Sequence, residues 1–122
     1  MMDITRHNVG DIVILALKGR LVLEEVEEQL RGTINELLQQ GRVNLVLSLE
    51  DVSYVDSAGL GFLVSKYVSV HRRGGDIKLV SVTPRVAHVL DITRLSQVFS
   101  TYGSEAEAVR AFERHQLTAR TR

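Results

Sequence analysis

Residues 43–64 read VNLVLSLEDVSYVDSAGLGFLV, and this stretch decides the fold class. Its first seven residues, 43–49, form an apolar run typical of a strand that is buried on both faces. The apolar residues from Phe62 to Val70 indicate a helix, so Asp56-Ser57-Ala58-Gly59-Leu60-Gly61 lies at the start of that helix. Unpaired N–H groups and the positive end of the helix dipole face outward at such a point. We therefore expect Ser57 to lie on an accessible corner, where it can carry or lose a phosphate.

Strands and helices alternate on both sides of this stretch. Residues 3–7, 12–17, 77–82 and, briefly, 97–100 are predicted to be extended. Helical spacing of apolar residues predicts helices at 24–40, 57–71, 85–92 and from 104 to about 115. Turn and capping signals fall between these elements: Val9-Gly10-Asp11, Gly41, Arg72-Arg73-Gly74-Gly75, Thr83-Pro84 and Ser104-Glu105-Ala106-Glu107. The pattern predicts one α/β domain with a largely parallel sheet covered by helices.

Length and composition fit a single domain. The 122 residues suffice for a core without disulfides, and the chain has no cysteine. Residues 1–115 are predicted to form the domain, and residues 116–122 a frayed, polar and basic tail. Lys plus Arg and Asp plus Glu both number 15, which argues against direct binding of nucleic acid.

The termini and apolar runs indicate where the protein acts. The first residues lack the order of a signal peptide. The longest apolar run, residues 12–17, is far too short to cross a bilayer. We expect a cytoplasmic protein without membrane insertion.

Catalytic and cofactor motifs are missing from the sequence. There is no phosphate-cradling Gly-x-x-x-x-Gly-Lys-Ser/Thr, no complete dinucleotide fingerprint and no Gly-x-Ser-x-Gly elbow. The four histidines are scattered without metal-ligand spacing: His7, His71, His88 and His115. We expect a protein that is not an enzyme and that has neither a cofactor nor a metal site.

With these residues placed, the chain resembles the anti-sigma-factor antagonists, single-domain members of the STAS family, over residues 9–112. Four segments carry the resemblance: Lys18-Gly19-Arg20-Leu21, Val55-Asp56-Ser57-Ala58-Gly59-Leu60-Gly61, Arg73-Gly74-Gly75 and Val89-Leu90-Asp91-Ile92-Thr93-Arg94-Leu95. The second is a fairly specific family signature. The resemblance implies a single STAS-type domain, with a four-to-five-stranded mixed sheet and about four helices packed mainly on one side.

The resemblance also implies a function. Such a protein binds an anti-sigma factor, usually a serine kinase of the histidine-kinase-like ATPase type, and so frees a sigma factor. Ser57 matches the serine that the kinase phosphorylates, which releases the complex. The surface that binds the partner would contain Asp56, Ser57, Ala58, Leu60 and Gly61, with Val22 and Leu23 at its rim.

One position departs from the family pattern. An acidic residue commonly stands near the phosphorylated serine, and Val22 occupies that place here. This substitution favours an alternative function, a STAS scaffold or accessory subunit of a stress-signalling complex or a lipid transporter. Such a subunit would not be controlled by phosphorylation of Ser57.

Three local interpretations stay open at this stage. Ser57 is suited to cap the helix as well as to carry a phosphate, and both roles can coexist. Gly59 and Gly61 allow either close approach of a partner or tight packing of the first helical turn. Residues 21–23 either continue the core into the next helix or form an exposed apolar patch.

Overall fold

The computed structural model describes the backbone of residues 2–120 and the side chains of residues 2–114. Within residues 2–120 the chain has five strands and several helical segments in alternation. In chain order these are β1 (Asp3–Val9), β2 (Ile12–Leu21), α1 (Leu23–Glu25), a π-helical turn (Val26–Leu30), α2 (Arg31–Gln39), β3 (Asn44–Val55), α3 (Ser57–Arg72), β4 (Asp76–Val80), α4 (Pro84–Ile92), a 3₁₀ turn (Leu95–Gln97), β5 (Thr101–Tyr102) and α5 (Glu105–Arg120).

The five strands form one mixed sheet in the order β1-β2-β3-β4-β5. β1 and β2 form an antiparallel hairpin, and the neighbours from β2 to β5 run parallel. Parallel neighbours need crossover connections, which the helices between the strands provide. The predicted α/β class and mixed sheet are confirmed, with five strands.

Helices cover the two faces of the sheet unequally. Alternate residues of β2, β3 and β4 point to one face, where they form the main core with apolar residues of α2, α3 and α4. The opposite face carries Ile12, Ile14, Val46 and Val80, which pack against Ala108 and Phe112 of α5. The expectation that the helices lie mainly on one side is therefore confirmed.

Several predicted helix ends are confirmed in detail. Gly41 and Gly74 follow α2 and α3 with φ angles of +76° and +84°, the left-handed conformation that glycine adopts without strain. Thr83 caps α4, because its hydroxyl oxygen accepts the N–H of Val86 at 3.4 Å. Ser104 likewise accepts the N–H of Glu107 at 3.2 Å at the start of α5.

The outer half of β3 was not predicted. The apolar run ends at Leu49, but the strand continues to Val55. It stays paired with β2 through two register shifts, which lie between Ala16 and Lys18 and between Gly19 and Arg20. These β-bulges disturb the alternation on which the strand prediction depends.

The C-terminal third also differs from expectation. Residues 97–100 were predicted to be extended, but Gln97 ends the 3₁₀ turn and β5 begins only at Thr101. The helix predicted to end near His115 continues to Arg120. The backbone of residues 116–120, predicted as part of a frayed tail, is thus helical, and residues 121 and 122 lie outside the described residues.

Candidate functional site at the Ser57 corner

Asp56 caps the helix that begins at Ser57. Its backbone is extended, and its side-chain Oδ1 accepts the N–H of Gly59 at 2.9 Å. Its carbonyl oxygen accepts the N–H of Leu60 at 2.9 Å, as the first hydrogen bond of the helix. The capping role that the sequence offered to Ser57 thus belongs to Asp56, one residue earlier. Aspartate and serine are equally good caps, so residue type alone could not decide between them.

Ser57 is free of that structural role. It is the first residue of α3, and its side chain is exposed. Its hydroxyl group makes no hydrogen bond with any other residue in the described part of the chain. A hydroxyl without a structural partner can be modified without breaking a contact of the fold.

The carbonyl oxygen of Leu21 fixes the position of this corner. Leu21 ends β2 opposite Val55, and its carbonyl oxygen accepts the N–H of Asp56 at 3.2 Å. Gly59 packs so closely on the same carbonyl group that a Cβ atom at residue 59 would overlap the oxygen. The end of β2 and the first turn of α3 are therefore one packed unit. Of the two interpretations of residues 21–23, core continuation holds for the side chain of Leu21, which is fully buried. The contact of its carbonyl group with Gly59 was not predicted, since a backbone contact does not depend on residue type.

The two glycines of the motif have different environments. Gly59 is buried against β2, whereas Gly61 is exposed, and a Cβ atom at residue 61 would have no atom within 4 Å. Ala58 and Leu60 are half-buried, and Leu60 packs against the main core. Of the two interpretations left open, tight packing holds for Gly59, and only Gly61 leaves room for a partner.

The segment after β2 divides between core and surface. Leu21 is fully buried and Val22 is only 8% exposed, whereas Leu23 is 53% exposed. Val22 precedes α1 and provides no capping hydrogen bond. An acidic side chain at that position could accept one. Of the two residues predicted at the rim, Leu23 therefore contributes nearly all of the apolar surface.

A charged pair lies beside this rim. Nε of Arg20 donates to Oε2 of Glu25 at 3.0 Å, and Glu25 is buried while Arg20 is exposed. Burial alone would raise the pKa of Glu25, but hydrogen bonds and positive charge, that of Arg20 included, hold the pKa below its ordinary value. Arg20 at the end of β2 is thus already engaged by a carboxylate. No sequence pattern indicates this pair, because Arg20 lies on β2 and Glu25 on α1.

Other parts of the described chain offer little catalytic chemistry. A cavity of about 420 Å³ lies at the amino ends of β3 and β4, at the opposite end of the strands from Ser57. There Asp76 contacts Nε2 of His71 and Nζ of Lys78, both at 2.9 Å. His71, near the end of α3, is thus paired with Asp76. Over residues 2–114, histidine and acidic side chains do not gather in groups that could hold a metal ion. Among the described helices, none is long and apolar enough to cross a membrane.

Comparison with known sequences identifies relatives over most of the chain. The family model of the STAS domain matches residues 3–108. The anti-sigma F factor antagonist of Paenibacillus polymyxa is 29% identical over 108 residues, which cover 88% of this chain and 91% of that protein.

Solved structures show the same fold. A Thermotoga maritima protein, described as a candidate anti-sigma factor antagonist, superposes with a TM-score of 0.83 at 30% identity and covers 88% of this chain and 92% of its own. The antagonist SpoIIAA in its unphosphorylated form has a TM-score of 0.77 at 24% identity over 91% of this chain and 96% of its own. The phosphorylated form of SpoIIAA, from Bacillus, has a TM-score of 0.71 at 20% identity, over 90% of this chain and 99% of its own. The family-model match and the shared fold lead to one conclusion: this chain belongs to the STAS domain family.

Proposed function

We propose that this chain is an anti-sigma factor antagonist that acts in the cytoplasm through the Ser57 corner. In the unphosphorylated state the corner binds an anti-sigma factor, which is a serine kinase, and so frees a sigma factor. The kinase phosphorylates Ser57, and the complex dissociates. The protein is a regulatory binding module and not an enzyme.

The observation that carries this proposal is the unengaged hydroxyl group of Ser57. Asp56 supplies the helix cap at 2.9 Å from the N–H of Gly59, so the exposed Ser57 hydroxyl has no structural duty. Asp56, Ala58, Leu60 and Gly61 surround it with small or half-buried groups. A kinase can reach such a hydroxyl on the folded surface.

The position of Ser57 also supports a switch that acts on binding and not on folding. A phosphoryl group adds about −1.5 to −2 charges and three acceptor oxygens. At the first residue of α3 the helix dipole favours that negative charge, by roughly 0.3–1 kcal/mol. The phosphorylated domain therefore stays folded. Release of the partner follows from steric overlap and from the added charge beside Asp56.

Leu23 and Gly61 extend the proposed surface beyond the serine. Leu23 exposes about half of its side chain, and Gly61 leaves open space on α3. An exposed apolar side chain and an open position on a helix are both features that can bind a helix of the partner. Val22, being buried, acts mainly by supporting Leu23 from the core.

Val22 favours one second candidate function. Position 22 holds a valine, whereas the family commonly has an acidic residue near the phosphorylated serine. The chemistry around Ser57 therefore differs from that of a standard kinase substrate. The second candidate is a STAS scaffold or accessory subunit of a stress-signalling complex or a lipid transporter. Its complex would persist whatever the state of Ser57.

Phosphorylation assays with matched variants test the proposal. The wild-type domain, Ser57→Ala and Ser65→Ala are incubated with ATP and with serine kinases purified from the same cells, and the phosphate is located by mass spectrometry. Ser65 is the control, since it is an exposed serine two turns further along the same helix. We expect phosphate on Ser57 in the wild type and in Ser65→Ala, and none in Ser57→Ala.

Binding of the captured anti-sigma factor is then compared before and after phosphorylation. Loss of binding in the phosphorylated domain, with an unchanged circular dichroism spectrum, supports a switch at the interface. A partner that binds both forms equally well would refute the switch and leave the scaffold or transporter subunit. Loss of binding together with unfolding would refute the claim that phosphorylation spares the fold.

A further inference from the structure

Several stretches of strand edge face no other strand in the described chain, and those at residues 19–21 of β2 and 76–78 of β4 are only three residues long. β5 is one edge, but it is only two residues long. The outer half of β3 is another, since β4 pairs with β3 only as far as Ser48, and the two bulges distort it. Short strands and bulges are both common protections against pairing with another chain. The edge of β1 has neither of these protections.

β1 is a regular and exposed edge. Its seven residues pair with β2 one by one, from Asp3 with Lys18 to Val9 with Ile12, without a register shift. Six of the seven are exposed, and the strand contains neither proline nor lysine. A long, regular edge of this kind is a template for an additional strand.

The turn after β1 determines which backbone groups are available. Gly10 and Asp11 form a two-residue turn, with Gly10 at a φ of +60°. In such a hairpin the flanking pair, Val9 and Ile12, exchanges hydrogen bonds, and hydrogen-bonded pairs then alternate along the ladder. The N–H and C=O groups of Ile4, Arg6 and Asn8 consequently face away from β2.

We propose that the β1 edge binds a second copy of this chain, antiparallel, with Thr5 on the two-fold axis. In this register Ile4 lies opposite Arg6 of the second copy, and their outward N–H and C=O groups form hydrogen-bonded pairs. Asp3 lies opposite His7 of the second copy. This proposal does not depend on the proposed function of Ser57.

The self-complementary order of side chains and outward backbone groups along β1 favours a second copy as the occupant and selects the register. Asp3 and His7 lie on the same face of β1, and His7 also contacts Glu105 of α5 at 3.2 Å. The carboxylate of Asp3 can accept a hydrogen bond from the imidazole N–H of His7 across the axis. The Thr5–Thr5 pair is also favourable, because it is not hydrogen-bonded through the backbone and brings the two side chains close. A register with Arg6 on the axis would place two arginines opposite each other. A register with Ile4 on the axis would pair fewer residues.

The proposed interface is small, so the affinity between the two copies is low. A pair of strands of this length covers less than the roughly 1,000 Å² typical of a stable interface. The dimer is therefore weak and depends on concentration. It joins two five-stranded sheets into one continuous sheet. Because the strands are antiparallel, the two Ser57 corners face opposite directions.

Arg6→Pro is the variant that tests the edge. Proline is tolerated on an edge strand where the N–H faces solvent, so the monomer keeps its fold, but the donor to Ile4 of the second copy is lost. We expect the dissociation constant, measured by sedimentation velocity over a range of concentrations, to rise at least ten-fold. His7→Pro is the control for orientation. Its N–H faces β2, so this variant should lower the melting temperature far more than Arg6→Pro does.

Two variants at residue 5 test the register. Thr5→Lys and Thr5→Glu each place like charges on the axis and should weaken self-association several-fold. An equimolar mixture of the two should associate more tightly than either variant alone. That recovery supports the proposal, because only a face that pairs with itself at residue 5 can produce it.

Three results would overturn the proposal. The wild type could stay monomeric up to millimolar concentration. It could form a dimer that Arg6→Pro and both Thr5 variants leave unchanged, which would place the interface elsewhere. Finally, the β1 amides could become protected from hydrogen exchange only when the anti-sigma factor is added, which would assign the edge to that partner.

Discussion

Replacement of Gly59 by alanine tests the packing of the corner most directly. The added Cβ atom would overlap the carbonyl oxygen of Leu21, which also accepts the N–H of Asp56 at 3.2 Å. The first turn of α3 would have to move away from β2, and overpacking of this kind costs about 1–3 kcal/mol. Alanine in place of glycine returns roughly 0.5–1 kcal/mol in a helix. We therefore expect the free energy of unfolding to fall by about 1–2 kcal/mol in net terms.

Gly61→Ala is the matched control, because it makes the same change two residues later in the same helix. Its Cβ atom would have no atom within 4 Å, so only the gain of about 0.5–1 kcal/mol remains. The gain from alanine is common to both variants, so they should differ by the overpacking cost alone, about 1–3 kcal/mol, or roughly 4–12 °C in melting temperature for a domain of this size. Thermal and urea unfolding followed by circular dichroism measure both values. A Gly59→Ala variant as stable as Gly61→Ala would show that the close contact with Leu21 is wrong.

Three other predictions concern the cap, a buried lysine and the rim. Asp56→Ala should lower the free energy of unfolding, measured by urea titration, by about 1 kcal/mol. Asp56→Asn should lower it much less, because asparagine also caps helices. Equal losses in the two variants would contradict the capping role of Asp56. Burial lowers the pKa of Lys66 below 10.5, so the unfolded chain holds that proton more tightly. The stability of the wild type relative to Lys66→Met should therefore rise between pH 7 and pH 10, and a flat difference would refute it. Leu23→Ala should change the melting temperature little but weaken binding of the anti-sigma factor about ten-fold in calorimetry, whereas unchanged affinity would remove Leu23 from the interface.

Apolar periodicity was sufficient to predict the order of the elements. Residues 43–49 and 12–17 are buried strands because both of their faces are covered, and that environment leaves a continuous apolar run. The prediction failed where pairing no longer depends on apolar side chains. Residues 50–55 remain strand through backbone pairing with β2, although most of their side chains are polar and exposed.

The sequence predicted the position of the corner correctly, but it did not predict which residue caps the helix or which glycine is packed against β2. Asp56 and Ser57 are adjacent and both suited to capping, and only the extended backbone of Asp56 decides between them. Gly59 and Gly61 look alike in the sequence. What separates them is the carbonyl group of Leu21, which comes from a strand 38 positions earlier than Gly59 and leaves no trace in the motif.

The hydrogen bond between the N–H of Asp56 and the carbonyl oxygen of Leu21 has a kinetic consequence. It joins the segment that carries Ser57 to a central strand, so this segment should open only when the whole domain unfolds. The amide proton of Asp56 should then be among the slowest to exchange with deuterium, although the neighbouring serine is exposed. Low concentrations of urea should not accelerate phosphorylation. Under the proposed function, a kinase would therefore meet Ser57 in its native geometry, without waiting for a local fluctuation of the chain.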